Sequence, residues 1–195
     1  MIFATANRHK LIEIQALLPV GLHIKTLSDI DFTDDIPETE TTIEGNALLK
    51  VRHIYDRYGE PCFADDTGLE VEALNGAPGV YSARYAGVDG SYEVRAKANM
   101  EKLLNHLSGK TNRKARFRTI IACIDANNIS HLFEGIVNGV IIEKPIGNEG
   151  FGYDPVFVPD GYNITYAQMS LSEKNMISHR AIAFRKFAGW LHSCH

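Results

Sequence analysis

The sequence lacks several features that mark common protein classes. Its 195 residues include only three cysteines, Cys62, Cys123 and Cys194, and no CxxC pair. Widely spaced cysteines of this kind predict reduced thiols in a cytoplasmic protein. No stretch approaches the ~20 apolar residues that a spanning helix needs. The N-terminus also lacks a basic segment followed by a long apolar run, so we expect neither secretion nor membrane insertion.

An excess of positive charge is missing as well. Lys and Arg number 20 against 24 Asp and Glu, which gives a formal net charge of −4. This balance argues against a nucleic-acid-binding protein that works through bulk positive charge. A small phosphorylated ligand stays open, because local lysines and a metal ion can offset the field. The sequence has no GxxxxGK[ST] phosphate loop, no GxGxxG dinucleotide fingerprint and no HExxH zinc motif.

The apolar pattern predicts an α/β fold with a mixed central sheet flanked by helices, in a single domain over residues 1–195. Strand-like and helix-like segments alternate early in the chain, and two long strands at 115–125 and 129–142 predict an antiparallel hairpin. The basic segment 108–114 is a candidate boundary between two lobes. Further predicted elements are strands at Ile2–Ala4, Leu22–Thr26 and Pro155–Val158, helices after Thr5–Lys10 and from about Ser91 and Ser178, and a helix capped by Thr41 and Glu44.

The most informative stretch is Phe63–Val71, which carries the adjacent carboxylates Asp65 and Asp66. We interpret it as a tight turn at Gly68 that joins a strand ending at Ala64 to a return strand from Leu69. Burying two adjacent aspartates is costly without a counter-charge, and a magnesium ion is the simplest one. The alternative is a solvated Asp-Asp turn that only caps the following segment.

Two segments before this stretch suit phosphate binding. In Thr5-x-Asn7-x-x-Lys10, a strand-to-helix turn directs backbone N–H groups and a lysine toward an anion. The alternative there is simple helix capping with a surface lysine. Lys50 lies on the next predicted helix among inward-facing neighbours. Glu38 in the acidic loop before that helix is a second candidate metal carboxylate.

Two later segments suit recognition of a base. Phe151, between two glycines, could stack on a flat ligand, although its alternative is a place in the core. The cluster Lys174, His179 and Arg180 puts cations at the start of the last helix, where they oppose the helix dipole. That placement favours an acceptor-rich ligand, and the alternative is a basic surface patch.

Five motifs stand in the order found in the inosine triphosphate pyrophosphatase family, so the chain resembles that family over essentially its whole length. Thr67 stands where many members have serine, which keeps the hydroxyl. The motifs are [ST]xNxxK at Thr5–Lys10, DD[ST]G at Asp65–Gly68, GxPGxYSAR at Gly76–Arg84, FGYDP at Phe151–Pro155, and a tail with Glu173-Lys174 and Ser178-His179-Arg180.

The resemblance implies a Mg²⁺-dependent hydrolase that cuts a purine nucleoside triphosphate such as ITP, dITP or XTP between its α- and β-phosphates. It also implies a homodimer and an elongated, two-lobed fold with a cleft between the lobes. Asp66 would be the base, with Asp66, Asp65 and Glu38 supporting the metal. Glu40 and Glu44 stay open as alternatives to Glu38. The expected substrate-binding residues are Thr5, Ala6, Asn7, Arg8, His9, Lys10, Lys50, Thr67, Phe151, Gly152, Tyr153, Asp154, Lys174, Ser178, His179 and Arg180.

Base choice follows from hydrogen bonding. A 6-oxo purine presents an acceptor where adenine presents a donor, and His179 and Arg180 offer donors. Nothing in the sequence explains how guanine would be excluded. Two other functions stay open, namely a pyrophosphatase for other modified nucleotides and a nucleotide-binding module without activity.

Overall fold

A computed structural model describes residues 1–193, which contain six β-strands and five α-helices. No helix in this part of the chain has the length and apolar character that a membrane span needs. Cys62 and Cys123 are buried thiols, and Cys194 lies outside the described residues. The elements are β1 (Ile2–Phe3), α1 (Arg8–Gln15), α2 (Ile43–Tyr58), β2 (Cys62–Val71), β3 (Pro78–Gly79), α3 (Tyr92–His106), β4 (Lys114–Ile124), β5 (Ser130–Ile141), β6 (Phe157–Pro159), α4 (Leu171–Ile177) and α5 (His179–Ser193).

The strands form one mixed sheet in the order β1-β2-β4-β5-β6, with β3 paired to β2. Strand β1 runs parallel to β2, while β3 pairs antiparallel with β2 and β6 antiparallel with β5. The backbone of Asp125 donates to Ile129 at one end of the β4–β5 pair, and Ile141 donates to Arg113 at the other. The predicted hairpin and the α/β class with a mixed sheet are therefore confirmed.

Strand β2 differs from the sequence prediction in a way that matters for the acidic pair. The interpretation of two strands joined by a turn at Gly68 was wrong, because Cys62–Val71 is one continuous strand. Pairing with β1 near one end and β3 near the other holds it extended. Successive side chains of a strand point to opposite faces, so Asp65 and Asp66 meet different partners.

Other elements also differ from the sequence prediction. The predicted strand at Leu22–Thr26 reduces to an isolated bridge between Lys25 and Ile2. The cap of α2 is Thr42 rather than Thr41, since the Thr42 side chain accepts from the backbone of Gly45. Helix α4 was missed. Its N-cap, Ser170, forms a capping box with Glu173.

The chain divides into two compact units, and each has its own core. Unit 1 contains 1–66, 119–135 and the segment from Arg180, and unit 2 contains 67–118 and 136–179. The basic segment 108–114 lies inside unit 2 and is not a boundary. Buried residues of the unit 1 core are Phe3, Ile14, Phe63, Ile121, Cys123, Ala183, Phe184 and Phe187. The unit 2 core includes Leu69, Val71, Leu103, Leu107, Phe117, Ile141, Val156, Phe157, Tyr166 and Met169.

Candidate active site

The turn between β1 and α1 is organised by Asn7. Its Oδ1 accepts hydrogen bonds from the backbone of His9 at 3.0 Å and of Lys10 at 3.3 Å. The backbone N–H of Asn7 donates to Thr5 Oγ1 at 3.2 Å. The side chain of Asn7 therefore serves as the helix N-cap. Two neighbouring predicted site residues, Ala6 and Arg8, are exposed.

Asp65 is fully buried between two cations of unit 1. Lys10 Nζ lies 3.1 Å from Oδ1, and Arg180 Nε donates to Oδ2 at 2.9 Å. Burial alone would raise the pKa of Asp65, but the charges of Lys10 and Arg180 outweigh it and hold that pKa well below its usual range. Asp65 is thus a stable anion whose two oxygens both face cations, and its predicted role as a metal ligand stays a prediction.

Arg180 lies in the buried network of unit 1. Its side chain is buried, with Nε on Asp65 and Nη1 donating to Glu13. The attraction of these carboxylates outweighs burial and raises the pKa of Arg180. Nε and Nη1 of Arg180 are thus held by two buried carboxylates of unit 1, and a role of Arg180 in reading a purine stays a prediction.

Asp66 is held by Lys50. Lys50 Nζ donates to Asp66 Oδ1 at 2.8 Å and to Glu38 Oε1 at 3.0 Å, so one ammonium joins the two carboxylates. The second oxygen of Asp66, Oδ2, is buried and has no hydrogen-bond partner within residues 1–193. Burial raises the pKa of Asp66, with the charge of Lys50 opposing the shift only in part.

These carboxylates have the oxygen donors that a divalent cation such as magnesium prefers. In the described part of the chain, no three His, Cys, Asp or Glu side chains lie together as a protein-only metal site. Magnesium is usually held by one or two carboxylates together with waters and substrate phosphates. Asp66 Oδ2 and the nearby Glu38 supply hard oxygen donors of that kind.

The acidic loop contributes through Glu38 rather than through its neighbours. Glu38 reaches Lys50, whereas the side chain of Glu40 is exposed. Glu44 lies in the first turn of α2. Of the three candidates, Glu38 is therefore the one that Lys50 links directly to the acidic strand.

A second polar cluster lies in unit 2 around Asp154. The buried Asp154 accepts at Oδ2 from Lys174 Nζ at 2.5 Å and from the backbone of Phe151 at 2.7 Å. Lys174 Nζ also lies 4.8 Å from the centre of the half-buried Phe151 ring. Gly150 has φ +71, and a Cβ there would stand 2.2 Å from Asp154 Oδ2. The glycine thus lets the carboxylate approach and fix the Phe151 loop.

Other predicted residues of unit 2 are less accessible. The buried His179 ring stacks on Phe117 with centroids 4.5 Å apart. Tyr153 is also buried, and its hydroxyl donates to the Ser82 carbonyl at 2.9 Å. The remaining predicted site residues of this unit are Thr67, which is half-buried, Gly152, with φ +64, and Ser178, which is buried between α4 and α5.

Sequence reasoning missed Glu13. It is 3% exposed, while its neighbour Ile12 is 42% exposed, so the buried face of α1 runs through Lys10, Glu13 and Ile14. The spacing of three residues between Lys10 and Glu13 was the available signal, since such residues lie on one helix face.

The chain matches the family model described as the Ham1 family over residues 1–190. It is 55% identical over 185 residues to a dITP/XTP pyrophosphatase of Flavobacterium psychrophilum, with 95% of each chain covered. It is also 52% identical over 192 residues to a dITP/XTP pyrophosphatase of Porphyromonas gingivalis, with 98% of this chain and 96% of the relative covered.

Solved structures agree with these relatives. The Ham1 protein of Staphylococcus aureus superposes with a TM-score of 0.88 at 38% identity, covering 100% of this chain and 98% of the other. A nucleoside-triphosphatase and dITP/XTP pyrophosphatase of Mycobacterium abscessus gives a TM-score of 0.76 at 38% identity, with 97% of each chain covered. The motif order, the sheet and the near full-length matches lead to one conclusion: the chain is a member of the Ham1 family.

Proposed function

We propose that this chain hydrolyses non-canonical purine nucleoside triphosphates (ITP, dITP and XTP) to the nucleoside monophosphate and pyrophosphate. The observation that carries the proposal is the buried Asp66, which has one oxygen on Lys50 and the other without a hydrogen-bond partner in residues 1–193. A buried carboxylate that is available on one side suits both a base and a metal ligand. The dITP/XTP pyrophosphatase relatives support the same substrate class.

In the proposed reaction, Asp66 removes a proton from the water that attacks the α-phosphorus, and the bond to the α,β-bridging oxygen breaks. Burial raises the pKa of Asp66 in the protein without metal, which favours proton transfer to this carboxylate. Lys50 fixes the orientation of that carboxylate through the 2.8 Å contact. Asp66 and Glu38 would hold the Mg²⁺, which offsets phosphate charge when bound.

The charges of unit 1 support a metal-linked substrate. The network joins three cations to four carboxylates and is net negative by one, so it attracts a bare triphosphate poorly. Mg²⁺ on the triphosphate lowers its negative charge and so weakens this repulsion, and Lys10 and Lys50 then add attraction at the phosphate oxygens. Arg180 and Glu13 hold Asp65, and Asp65 in turn holds Lys10.

Unit 2 supports a role in base recognition. We infer that the ring of Phe151 stacks on the purine, and that Lys174 beneath it favours a 6-oxo acceptor over the amino donor of adenine. Asp154 keeps both groups in place.

The family resemblance also suggests a homodimer and a cytoplasmic location. Light scattering on purified protein tests the first, and cell fractionation tests the second.

The decisive experiment compares Asp66→Asn with wild type. Asparagine keeps the shape but loses basicity and metal affinity, so we expect pyrophosphate release from ITP with Mg²⁺ to fall by about 10²–10⁴-fold. Asp125→Asn, the same change at a half-buried turn aspartate whose hydrogen-bond partners are Asn127, Ile129 and His131, is the control. Circular dichroism should be unchanged in both. Retention of more than about a tenth of wild-type turnover by Asp66→Asn would contradict the assignment.

A panel of triphosphates identifies the substrate class. We expect pyrophosphate from ITP, dITP and XTP and little from ATP, because buried polar mismatches discriminate by about 10⁴-fold. Release from pyrimidine or methylated nucleotides alone would favour the alternative pyrophosphatase. Binding without release would indicate a nucleotide-binding module.

A further inference from the structure

Glu38 lies on a segment that has no regular structure to hold it. The acidic loop, residues 31–42, contains neither helix nor strand between a short 3₁₀ turn at Ser28–Ile30 and helix α2. Glu38 itself is about one-third exposed, with 34% of its side chain accessible. A carboxylate on such a loop needs other contacts to stay within reach of Asp66 and Lys50, because loops are more mobile than the elements they connect.

Asn46 supplies one such contact. It is completely buried on α2, and its Oδ1 accepts a hydrogen bond from the backbone N–H of Glu40 at 3.0 Å. Lys50 lies one helical turn further along the same helix and contacts Glu38 at 3.0 Å. Helix α2 therefore holds the loop at two points, one on its backbone and one on the Glu38 carboxylate.

Gly45 allows the loop to approach helix α2 closely. A Cβ at this position would lie 2.8 Å from Glu40 Cβ and 3.0 Å from Thr42 Oγ1. Contacts below 3.0 Å between such atoms require a shift of the loop. Gly45 is helical and its φ is not positive, so the helix does not need glycine there. The missing side chain instead lets the loop lie directly against α2.

We propose that Asn46 and Gly45 are positioning residues that set the place of Glu38 for Mg²⁺ binding. This inference rests on the proposed function of Glu38, but neither residue touches the reacting groups. Asn46 holds the loop from its backbone and Gly45 leaves the space that the loop occupies. Substituting either moves Glu38 while the rest of the network, centred on Asp65 and Asp66, keeps its own contacts.

The first test is Asn46→Ala. Loss of one buried hydrogen bond changes an equilibrium by about five-fold. We therefore expect the Mg²⁺ concentration for half-maximal pyrophosphate release to rise by about five-fold. The Mg²⁺-dependent binding of α,β-imido-ITP, measured by calorimetry without turnover, should weaken by a similar factor. Asn99→Ala is the matched control, because Asn99 is also buried and holds a loop through Ala86 and Ala83, but in unit 2.

The second test, Gly45→Ala, separates position from stability. Alanine is the better helix former, and this gain opposes the cost of moving the loop, so the urea midpoint should change little, whereas the Mg²⁺ requirement should rise. This variant keeps the proposal testable if Asn46→Ala does not fold. An unchanged Mg²⁺ requirement in Gly45→Ala would overturn the role of Gly45. A similar rise in Asn99→Ala would show that general destabilisation is the cause.

A double variant identifies the route of the effect. If Asn46 acts through Glu38, then Asn46→Ala combined with Glu38→Gln should need no more Mg²⁺ than Glu38→Gln alone. Effects that add would mean that Asn46 acts independently and would overturn the inference. If Glu38→Gln leaves the Mg²⁺ requirement unchanged, the metal role of Glu38 fails as well. Failure of the inference alone is recognised by a Glu38→Gln effect without an Asn46→Ala effect.

Discussion

The strongest prediction concerns Arg180→Met, because this arginine neutralises two buried carboxylates at once. Methionine keeps much of the volume and removes the charge. Asp65 and Glu13, with 0% and 4% of their side chains exposed, then lose the arginine that they share in unit 1, while Lys10 still pairs with Asp65. The variant therefore tests whether Arg180 supports the network or contacts the substrate.

The magnitude follows from the burial. Breaking a buried ion pair by removing one partner costs about 3–5 kcal/mol, because a charge is left without compensation. A domain of ordinary stability has about 5–15 kcal/mol in total, so the loss is a large fraction. Arg116→Met is the matched control. Its arginine pairs with Glu70 at 2.6 Å but is 48% exposed, and such a pair contributes about 0–1 kcal/mol.

The assay is urea denaturation at pH 7 in the presence of EDTA. We expect a loss of about 3–5 kcal/mol for Arg180→Met and partial recovery in Arg180→Met with Glu13→Gln, which removes one of the two buried negative charges. The ratio of kcat/KM for ITP over ATP should change little in whatever activity remains. A loss below about 1 kcal/mol, together with a collapse of that ratio, would refute this reasoning and return Arg180 to base recognition.

Three further predictions concern substitutions of individual residues. Arg113→Met removes donors to the carbonyls of Leu107, Ile141 and Ile142 and should lower the urea stability by about 2–4 kcal/mol, and an unchanged midpoint would contradict this. Phe151→Ala should weaken ITP binding by the ~1–3 kcal/mol of one stacking contact, which raises KM, while pyrophosphate remains the product. An unchanged KM would make Phe151 a packing residue. The backbone N–H of Ile129, with His131, lowers the pKa of Asp125, so its contribution to stability is present above about pH 4 and is lost as the pH falls through the lowered pKa. The urea midpoints of wild type and Asp125→Asn should therefore converge on acidification, and a constant gap would oppose the idea.

The sequence was most informative where a signal was local. The β4–β5 hairpin was predictable because two long apolar runs flank the polar turn 126–128, and α3 because Ser91 caps it. Strand β2 was not predictable, since Thr67 and Gly68 are typical of turns and pairing with β1, β3 and β4, which are distant in sequence or weak as strands, keeps the chain extended.

In the candidate site, too, local features could be predicted from the sequence and long-range contacts could not. The acidic pair and Lys10 could be found from their motifs and Lys50 from its inward-facing neighbours on the helix, and Lys50 lies only 16 residues from Asp66. The partnership of Arg180 with Glu13 spans 167 residues, and no local pattern reports a contact of that separation. The direction of a buried guanidinium is decided by packing, which a single sequence does not display.

The composition of unit 1 has a consequence for the synthesis of the protein. Its segments come from both ends of the chain, and Arg180, near the end, neutralises Glu13, near the beginning. During synthesis the N-terminal residues leave the ribosome before the C-terminal ones. Glu13 and Asp65 are therefore made before Arg180, and about 115 residues are added between Asp65 and Arg180. Unit 1 therefore completes its folding only after the last helix has been released, and premature termination within α5 leaves a nascent chain that is a natural target for chaperones and proteases.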